Sequence, residues 1–361
     1  MARSDMQLIA LCSIPALGPV TVRKLLSAFG TPEAVFRAGP RELASVDGID
    51  SKRAEAIRGF SGETLERDIE RLGNDGIRVV TVHSEQYPEA LKEVPTAPLV
   101  LYMKGEIVKD DRFAIAVVGT RTPSPYGVSV TERMASELAS MGFTVVSGLA
   151  RGIDTAAHRG GLRAGGRGIA VLGSGIDVPY PPENRGLMER LAGSGCVLSE
   201  FPPGTKPYKG NFPMRNRIIS GLSLGVLIAE AAKDSGALIT ARHALEQGKE
   251  VFSIPGNINS TVSSGTNELI RQGARIVVRA ADIVEELAPV LKGFIKSREK
   301  EKVEISSEEK VICDIMTGEP KHVDLLSRES GMPASKTLAV LLGLELKGVV
   351  RQTEGKMFHL V

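Results

Sequence analysis

Phe113-Ala114-Ile115-Ala116-Val117-Val118-Gly119-Thr120-Arg121 decides how this chain folds. Six consecutive apolar residues, three of them β-branched, read as a strand buried on both faces, and the glycine that follows marks its end. Working outward, the same grammar repeats. Strands are expected at Ala114–Val118, Thr144–Val146, Ile169–Leu172, Val197–Leu198, Gly225–Ile228, Glu250–Ile254 and Arg275–Val278. Helices are expected between them at Val128–Met141, Thr155–Ala164, Arg185–Ala192, Met214–Ser220, Gly236–Gln247 and Asn267–Gln272. Strand and helix in alternation predict an α/β fold: a doubly wound, mostly parallel, Rossmann-like sheet with ligands beyond the carboxyl ends of its strands.

Two smaller units flank this core. Residues 1–76 read as a helical module in which Gly18 and Gly48 each precede a basic amphipathic helix, resembling a tandem helix-hairpin-helix (SAM-like) unit. Backbone amides at such turns can hold a DNA phosphate. The module carries ten basic against eleven acidic residues, so a helical packing role is equally consistent with it. Residues 77–290 form the extended Rossmann-like domain, opening with short strands at Ile77–Val82 and Leu99–Met103. Residues 291–305 are charged and read as a linker. Residues 306–361 pattern as three helices and a hairpin, a winged helix. Its third helix, Ala334–Leu346, is mostly apolar, with Lys336 and Glu345 its only charges, and suits protein contact better than duplex reading.

Composition narrows the function. With 361 residues, 42% apolar and 24% charged, the chain is an ordinary globular one, and its net charge of +2 means that any nucleic-acid site must come from local clustering. Cys12, Cys196 and Cys313 are far apart and make neither a disulfide framework nor a zinc site. No apolar run has transmembrane length and no secretory signal is apparent, so a cytoplasmic location is expected.

The loops carry the chemistry. Val118-Gly119-Thr120-Arg121 lacks GxGxxG, and the second core strand ends in Ser147-Gly148-Leu149-Ala150 rather than an acid, which disfavours a dinucleotide. An arginine at the top of the first core strand suits a phosphate instead. Lys209-Gly210-Asn211-Phe212-Pro213-Met214-Arg215-Asn216-Arg217 places three cations and a ring together, with no Asp or Glu from Phe201 to Ala229 and Lys206 nearby. Cations track phosphates and a ring stacks on a base, which is the pattern of a single-stranded nucleic-acid surface. Arg215 and Arg217, two apart, cannot share a helical face, so one is expected in the pocket and the other bracing the loop. Phe212 is either a stacking ring or a buried anchor. Asp154 and His158 could form an acid–base pair, but no nucleophile motif accompanies them; the plainer expectation is that Asp154 caps a helix and His158 hydrogen-bonds within the loop layer.

Together these motifs, with Leu172-Gly173-Ser174-Gly175 and Ser264-Gly265-Thr266-Asn267, resemble the DprA (Smf) family of DNA-processing proteins over nearly the full length. The resemblance implies a non-enzymatic, homodimeric protein without cofactor or metal. Such a protein binds single-stranded DNA, protects incoming strands and loads RecA recombinase during natural transformation. It implies a DNA-binding set of Arg121, Lys209, Phe212, Arg215, Asn216 and Arg217, with Gly119, Ser147, Gly148, Gly173 and Ser174 from the loops. The alternative is a LOG-like nucleotide phosphoribohydrolase, which shares a related core. That group has a contiguous Pro-Gly-Gly-x-Gly-Thr-x-x-Glu, whereas here Pro255-Gly256 and Gly265-Thr266 are separated and Glu268 follows Thr266 by two. A winged-helix transcription factor is a third reading.

Overall fold

A computed structural model describes residues 3–14, 17–61, 65–298, 306–316, 320–346, 349–353 and 355–360. The chain divides into two compact units, Met1–Glu286 and Leu287–Val361.

The first unit is built on a nine-stranded sheet. Its strands are β1 (Ile77–Thr81), β2 (Val100–Gly105), β3 (Ala114–Val118), β4 (Thr144–Ser147), β5 (Gly168–Leu172), β6 (Cys196–Ser199), β7 (Gly225–Ile228), β8 (Glu250–Ser253) and β9 (Arg275–Ile276). The order across the sheet is β1-β2-β6-β5-β4-β3-β7-β8-β9. Strands β3 to β9 run parallel, while β1 and β2 add an antiparallel edge on β6. The reason for the parallel core is visible in burial: every residue of β3, β4, β5, β6 and β7 is buried, as helix-covered strands must be. From β3 the chain steps outward through β4, β5 and β6, then crosses back to lay β7 on the other side of β3. The crevice between the carboxyl ends of β3 and β7 is therefore the topological switch point, where open α/β sheets take their ligands.

Helix starts differ from the sequence expectation for a common reason. The helix expected from Val128 begins at Pro125, with the Ser124 hydroxyl accepting from Gly127 N at 3.0 Å. The helix expected from Met214 begins at Asn211 and carries Pro213 in its first turn. Proline is at home there, because first-turn N–H groups have no intrahelical partner.

Six helices, Arg3–Ser13, Pro19–Phe29, Pro32–Arg37, Pro40–Ala44, Ser51–Arg58 and Leu65–Asn74, precede the sheet. Their buried residues Leu8, Leu11, Val22, Leu25, Val35, Leu43 and Ile57 belong to one apolar cluster with Val100, Tyr102, Leu172 and Val197 of the sheet. The helical segment thus shares its core with the sheet and is part of the same unit.

In the second unit, helices Ser307–Ile315, Val323–Ser330 and Ala334–Leu346 pack with a three-stranded antiparallel sheet of β10 (Lys321–His322), β11 (Val350–Thr353) and β12 (Met357–Leu360). Ile312, Leu326, Leu341, Leu344, Val350 and Phe358 form its core, which is the winged-helix arrangement. Within the span expected as linker, residues 291–298 continue the helix Ala280–Arg298, and 299–305 lie outside the described residues. Among the described residues no helix is long and apolar enough to cross a membrane.

Candidate nucleic-acid interface

A cavity of about 530 Å³ opens at the switch point. The loop after β3 contributes Gly119, Thr120 and Arg121, the start of Asn211–Gly221 contributes Phe212, Arg215 and Asn216, and Lys209 and Asp234 close the ring. Helices Ile153–Arg163, Asn211–Gly221 and Ala237–Glu246 each place a first-turn residue in the cavity lining. Their N-termini add partial positive charge to Arg121 and Lys209, both exposed, so the site favours anions more than the chain's net charge suggests.

Arg121 sits on a stiff loop. Thr120 N donates to the Glu230 carbonyl at 2.7 Å, and Ile153 N donates to the Thr120 carbonyl at 3.1 Å. The carboxylate of Glu230 accepts from Ser124 N at 2.7 Å and from the Ser124 hydroxyl at 2.6 Å. Glu230 is 2% exposed and is the residue that fixes this turn. Sequence reasoning missed it, although an acid directly after the apolar run of β7 was a usable signal.

The Arg121 guanidinium lies over the Phe212 ring, 4.7 Å from its centroid. Tyr180 packs beside that ring at 5.7 Å and 40°. From below, the backbone of Gly173 approaches so closely that a Cβ there would stand 2.7 Å from the ring. Phe212 is half-buried: anchored on Gly173, it still presents part of its ring to the cavity.

Beneath the cavity floor lies Arg215, 3% exposed. Its guanidinium donates to the Gly148 carbonyl at 2.6 Å, to the Asn216 amide oxygen at 3.2 Å, and to the Val171 carbonyl. Gly148 is required, because a Cβ there would overlap that guanidinium. Burial lowers the Arg215 pKa to about 10, opposed by Asp154 and assisted by Arg121. Asn216 donates to the Gly236 carbonyl at 3.3 Å and so ties this helix to the next.

Several expectations need correction. Arg217 does not reach the cavity; it is 6% exposed and forms a buried ion pair with Glu200. The segment seemed free of counter-charge only because Glu200 stands one residue before the acid-free stretch and Asp154 comes from another loop. Ser147 and Ser174 are buried with their hydroxyls donating inward, to the carbonyls of Val117 and Val178, so neither side chain is available to a ligand. Asp154 is not the helix cap. Gly152 holds that position, and the Asp154 carboxylate braces the preceding loop by accepting from Gly148 N at 3.1 Å and Ala150 N at 3.3 Å. Burial raises its pKa. His158 has no hydrogen-bond partner on either ring nitrogen; the nearby Ser147 carbonyl does not meet bonding geometry, and burial pushes its pKa down to about 3. The ring is a buried neutral group and not a base poised for chemistry.

Tyr208, 70% exposed beside Lys209, is a second ring on the same approach. Lys206-Pro207-Tyr208-Lys209 could have indicated it by its basic–aromatic interleaving. Among the described residues no group of three or more His, Cys, Asp or Glu could hold a metal ion.

The fold is that of a doubly wound α/β protein with a crevice at its switch point, preceded in sequence by a helical segment and followed by a winged helix. The chain belongs to the DprA (Smf) family: residues 78–288 match the family of DNA recombination-mediator protein A. Residues 297–356 match the DprA winged helix domain, and residues 8–58 match the SAM-like helix-hairpin-helix tandem. The chain is 39% identical to Protein Smf of Synechocystis over 289 residues, 78% of this chain and 72% of that protein. DNA processing protein A from Streptococcus pneumoniae superposes with a TM-score of 0.68 at 35% identity, covering 79% of this chain and 99% of that one. A Helicobacter pylori DNA processing protein A, whose structure concerns its single-stranded DNA binding mode, gives a TM-score of 0.52 at 32% identity, covering 58% of this chain and 96% of that one.

Proposed function

We propose that the switch-point cavity binds single-stranded DNA and that the protein is a non-catalytic mediator. In this reading it shelters incoming strands in the cytoplasm and passes them to RecA recombinase, working as a homodimer. The observation that carries the reading is the Arg121–Phe212 pair beside Lys209 at the mouth of an anion-favouring crevice. Arg121 and Lys209 hold phosphates, while the free part of the Phe212 ring stacks on a base. Gly119, Gly148 and Gly173 act through shape, by letting backbone, guanidinium and ring come close. Arg215 and Asn216 support the floor. The H. pylori relative's single-stranded DNA binding supports the same assignment.

The hydrolase alternative finds little support in the residues it would use. Glu268 is engaged by Arg271 and Gln272 on a helix surface. Asp154 and His158 are both buried. Incubation with nucleoside monophosphates is expected to release no free base.

The primary test is fluorescence anisotropy of the full chain with oligo(dT) and with a duplex of equal length. Tight binding to the single strand and much weaker binding to the duplex are expected, because stacked base pairs hide the faces that Phe212 needs. Equal affinity for both would overturn the reading. Transfer to RecA is tested separately, by the rate at which RecA filaments assemble on single strands covered by a single-strand-binding protein; no acceleration would remove that part alone.

A further inference from the structure

Tyr126 lies outside the lining of the switch-point cavity but on the loop-to-helix turn that carries Arg121. It is 52% exposed, too open to serve as core, and its hydroxyl donates to the Pro255 carbonyl, just after β8, at 3.1 Å. The backbone beneath it is fixed. Gly127 N donates to the Ser124 hydroxyl, Glu230 clamps Ser124, and a Cβ on Gly127 would overlap that carboxylate. A ring pinned at its backbone and at its hydroxyl loses little further freedom when a flat group stacks on it.

The place of this ring follows from strand order. Along the carboxyl edge the sheet runs β5, β4, β3, β7, β8. Phe212 rests on Gly173, just after β5; Arg121 follows β3; Tyr126 reaches across to the segment after β8. Four strand spacings of ~4.8 Å put the two rings up to ~19 Å apart along that edge. At ~3.4 Å per stacked nucleotide, about five nucleotides span the interval. The surface between them is continuous: Thr122 of the Arg121 loop and Val262, from the loop after β8, line the same cavity as Phe212. Ile258 on that later loop is 91% exposed. Lys233 and Asp234, adjacent after β7, offset each other's charge. This end of the edge thus offers aromatic and apolar surface for a base and little net charge for a phosphate.

We propose that Tyr126 is a further stacking platform: the strand held at Lys209, Phe212 and Arg121 continues along the carboxyl edge towards β8 and lays a later base on the Tyr126 ring. The inference rests on the single-strand reading above and deepens it by giving the strand a path across the sheet. Stacking on a ring tolerates every base, so Tyr126 acts on the length of strand recognised and not on its sequence.

The test compares oligo(dT) of about three nucleotides, too short to join the two rings, with oligo(dT) of about twelve, which can. Tyr126→Ala is expected to weaken binding of the longer strand at least about fivefold, the low end for a base–aromatic stack, and to leave the shorter strand's affinity and the salt slope unchanged. Tyr126→Phe keeps the ring without the bond to Pro255 and should bind the longer strand as wild type does. The chain contains no tryptophan, so Tyr126→Trp supplies a single reporter, whose emission should be quenched by the longer strand at saturation and not by the shorter. Unchanged affinity of Tyr126→Ala for the longer strand overturns the inference and leaves the single-strand reading intact. Equal losses at both lengths, or a Tyr126→Phe as weak as Tyr126→Ala, also overturn it, since the residue then only braces the Arg121 loop. So does a changed oligomeric state of Tyr126→Ala in sedimentation, which would assign the ring to contact between copies. If Tyr126→Ala does not fold, the quenching decides: quenching by the longer strand alone sustains the proposal, and any other pattern ends it. Failure of the wild type to bind either strand overturns both readings.

Discussion

Arg121 resting on the Phe212 ring makes two residues from distant loops act together. Truncating the ring removes a stacking platform and the seat of the cation, so Phe212→Ala should cost on the order of 1–3 kcal/mol in single-strand binding. Normal oligo(dT) affinity in a folded Phe212→Ala protein would leave the ring with an anchoring role alone. Arg121→Ala and Lys209→Ala should each weaken binding across all sequences and lower the slope of log affinity against log salt by about 0.7, one phosphate's share on a single strand. A salt titration that gives unchanged slopes would remove these residues from the phosphate path. His158 yields a prediction of another kind. In the folded protein its ring stays neutral down to about pH 3, while in the unfolded chain it takes a proton near 6.5. Between those values the unfolded state binds more protons, so stability falls as pH drops from 6.5 towards 3, by at most ~1.4 kcal/mol per pH unit from this group. Asp154 and Glu200, whose pKa values burial raises, work in the opposite sense. Urea unfolding of wild type and His158→Leu at pH 7 and pH 5 isolates the histidine, since both proteins keep the carboxylates. The variant should lose less stability on acidification, and identical losses would show that the ring does not titrate this way.

At the scale of elements, the turn after β3 is held by the end of β7 through Glu230. Glu230→Ala leaves Ser124 N and its hydroxyl without their acceptor, a loss on the order of 1–3 kcal/mol for buried groups, and frees the loop that aims Arg121. Both the urea midpoint and oligo(dT) affinity should fall. A fall in stability with unchanged affinity would mean that Arg121 finds its place without the brace. This brace also shows where sequence reading stops. The strand runs were legible because strands buried on both faces must be almost continuously apolar, and β3 and β7 begin and end where their residues indicated. That Arg121, Lys209 and Phe212 line one cavity was legible because Arg121 and Lys209 stand in loops at strand and helix ends and Phe212 opens the helix that follows Lys209. The burial of Arg217 was not, since its partner Glu200 lies outside the local segment and helical phase alone does not name a counter-ion. Nor was the seat of Phe212, which is made by Gly173 and Tyr180 from another loop. Contacts between segments distant in sequence depend on strand order, and the crossover from β6 to β7 that sets this order leaves no mark in periodicity.

At the scale of the whole molecule, the two units carry separate cores, and the cavity proposed to take a single strand is lined by residues of the first. In the second, the helix Ala334–Leu346 has two charges and both are used internally. Lys336 pairs with Glu308 at 2.6 Å, and the Glu345 carboxylate accepts from Gln352 N on β11 at 3.0 Å. Leu338 and Leu342 are left exposed on that helix, at 42% and 55%. A helix that reads duplex DNA needs free side chains able to hydrogen-bond base edges and cations for phosphates, and this surface offers apolar contact instead. Deleting residues 306–361 should therefore leave oligo(dT) affinity within about twofold, as expected when none of the residues that line the cavity is removed. Any role in strand transfer would then fall on the exposed leucines. Leu338→Asp with Leu342→Asp keeps both charges of the helix and removes its apolar face, so it should reduce RecA filament assembly as far as the deletion does while leaving single-strand binding intact. If the deletion instead abolishes oligo(dT) binding, or if the isolated first unit gains a duplex sequence preference, the division of labour between the units is wrong.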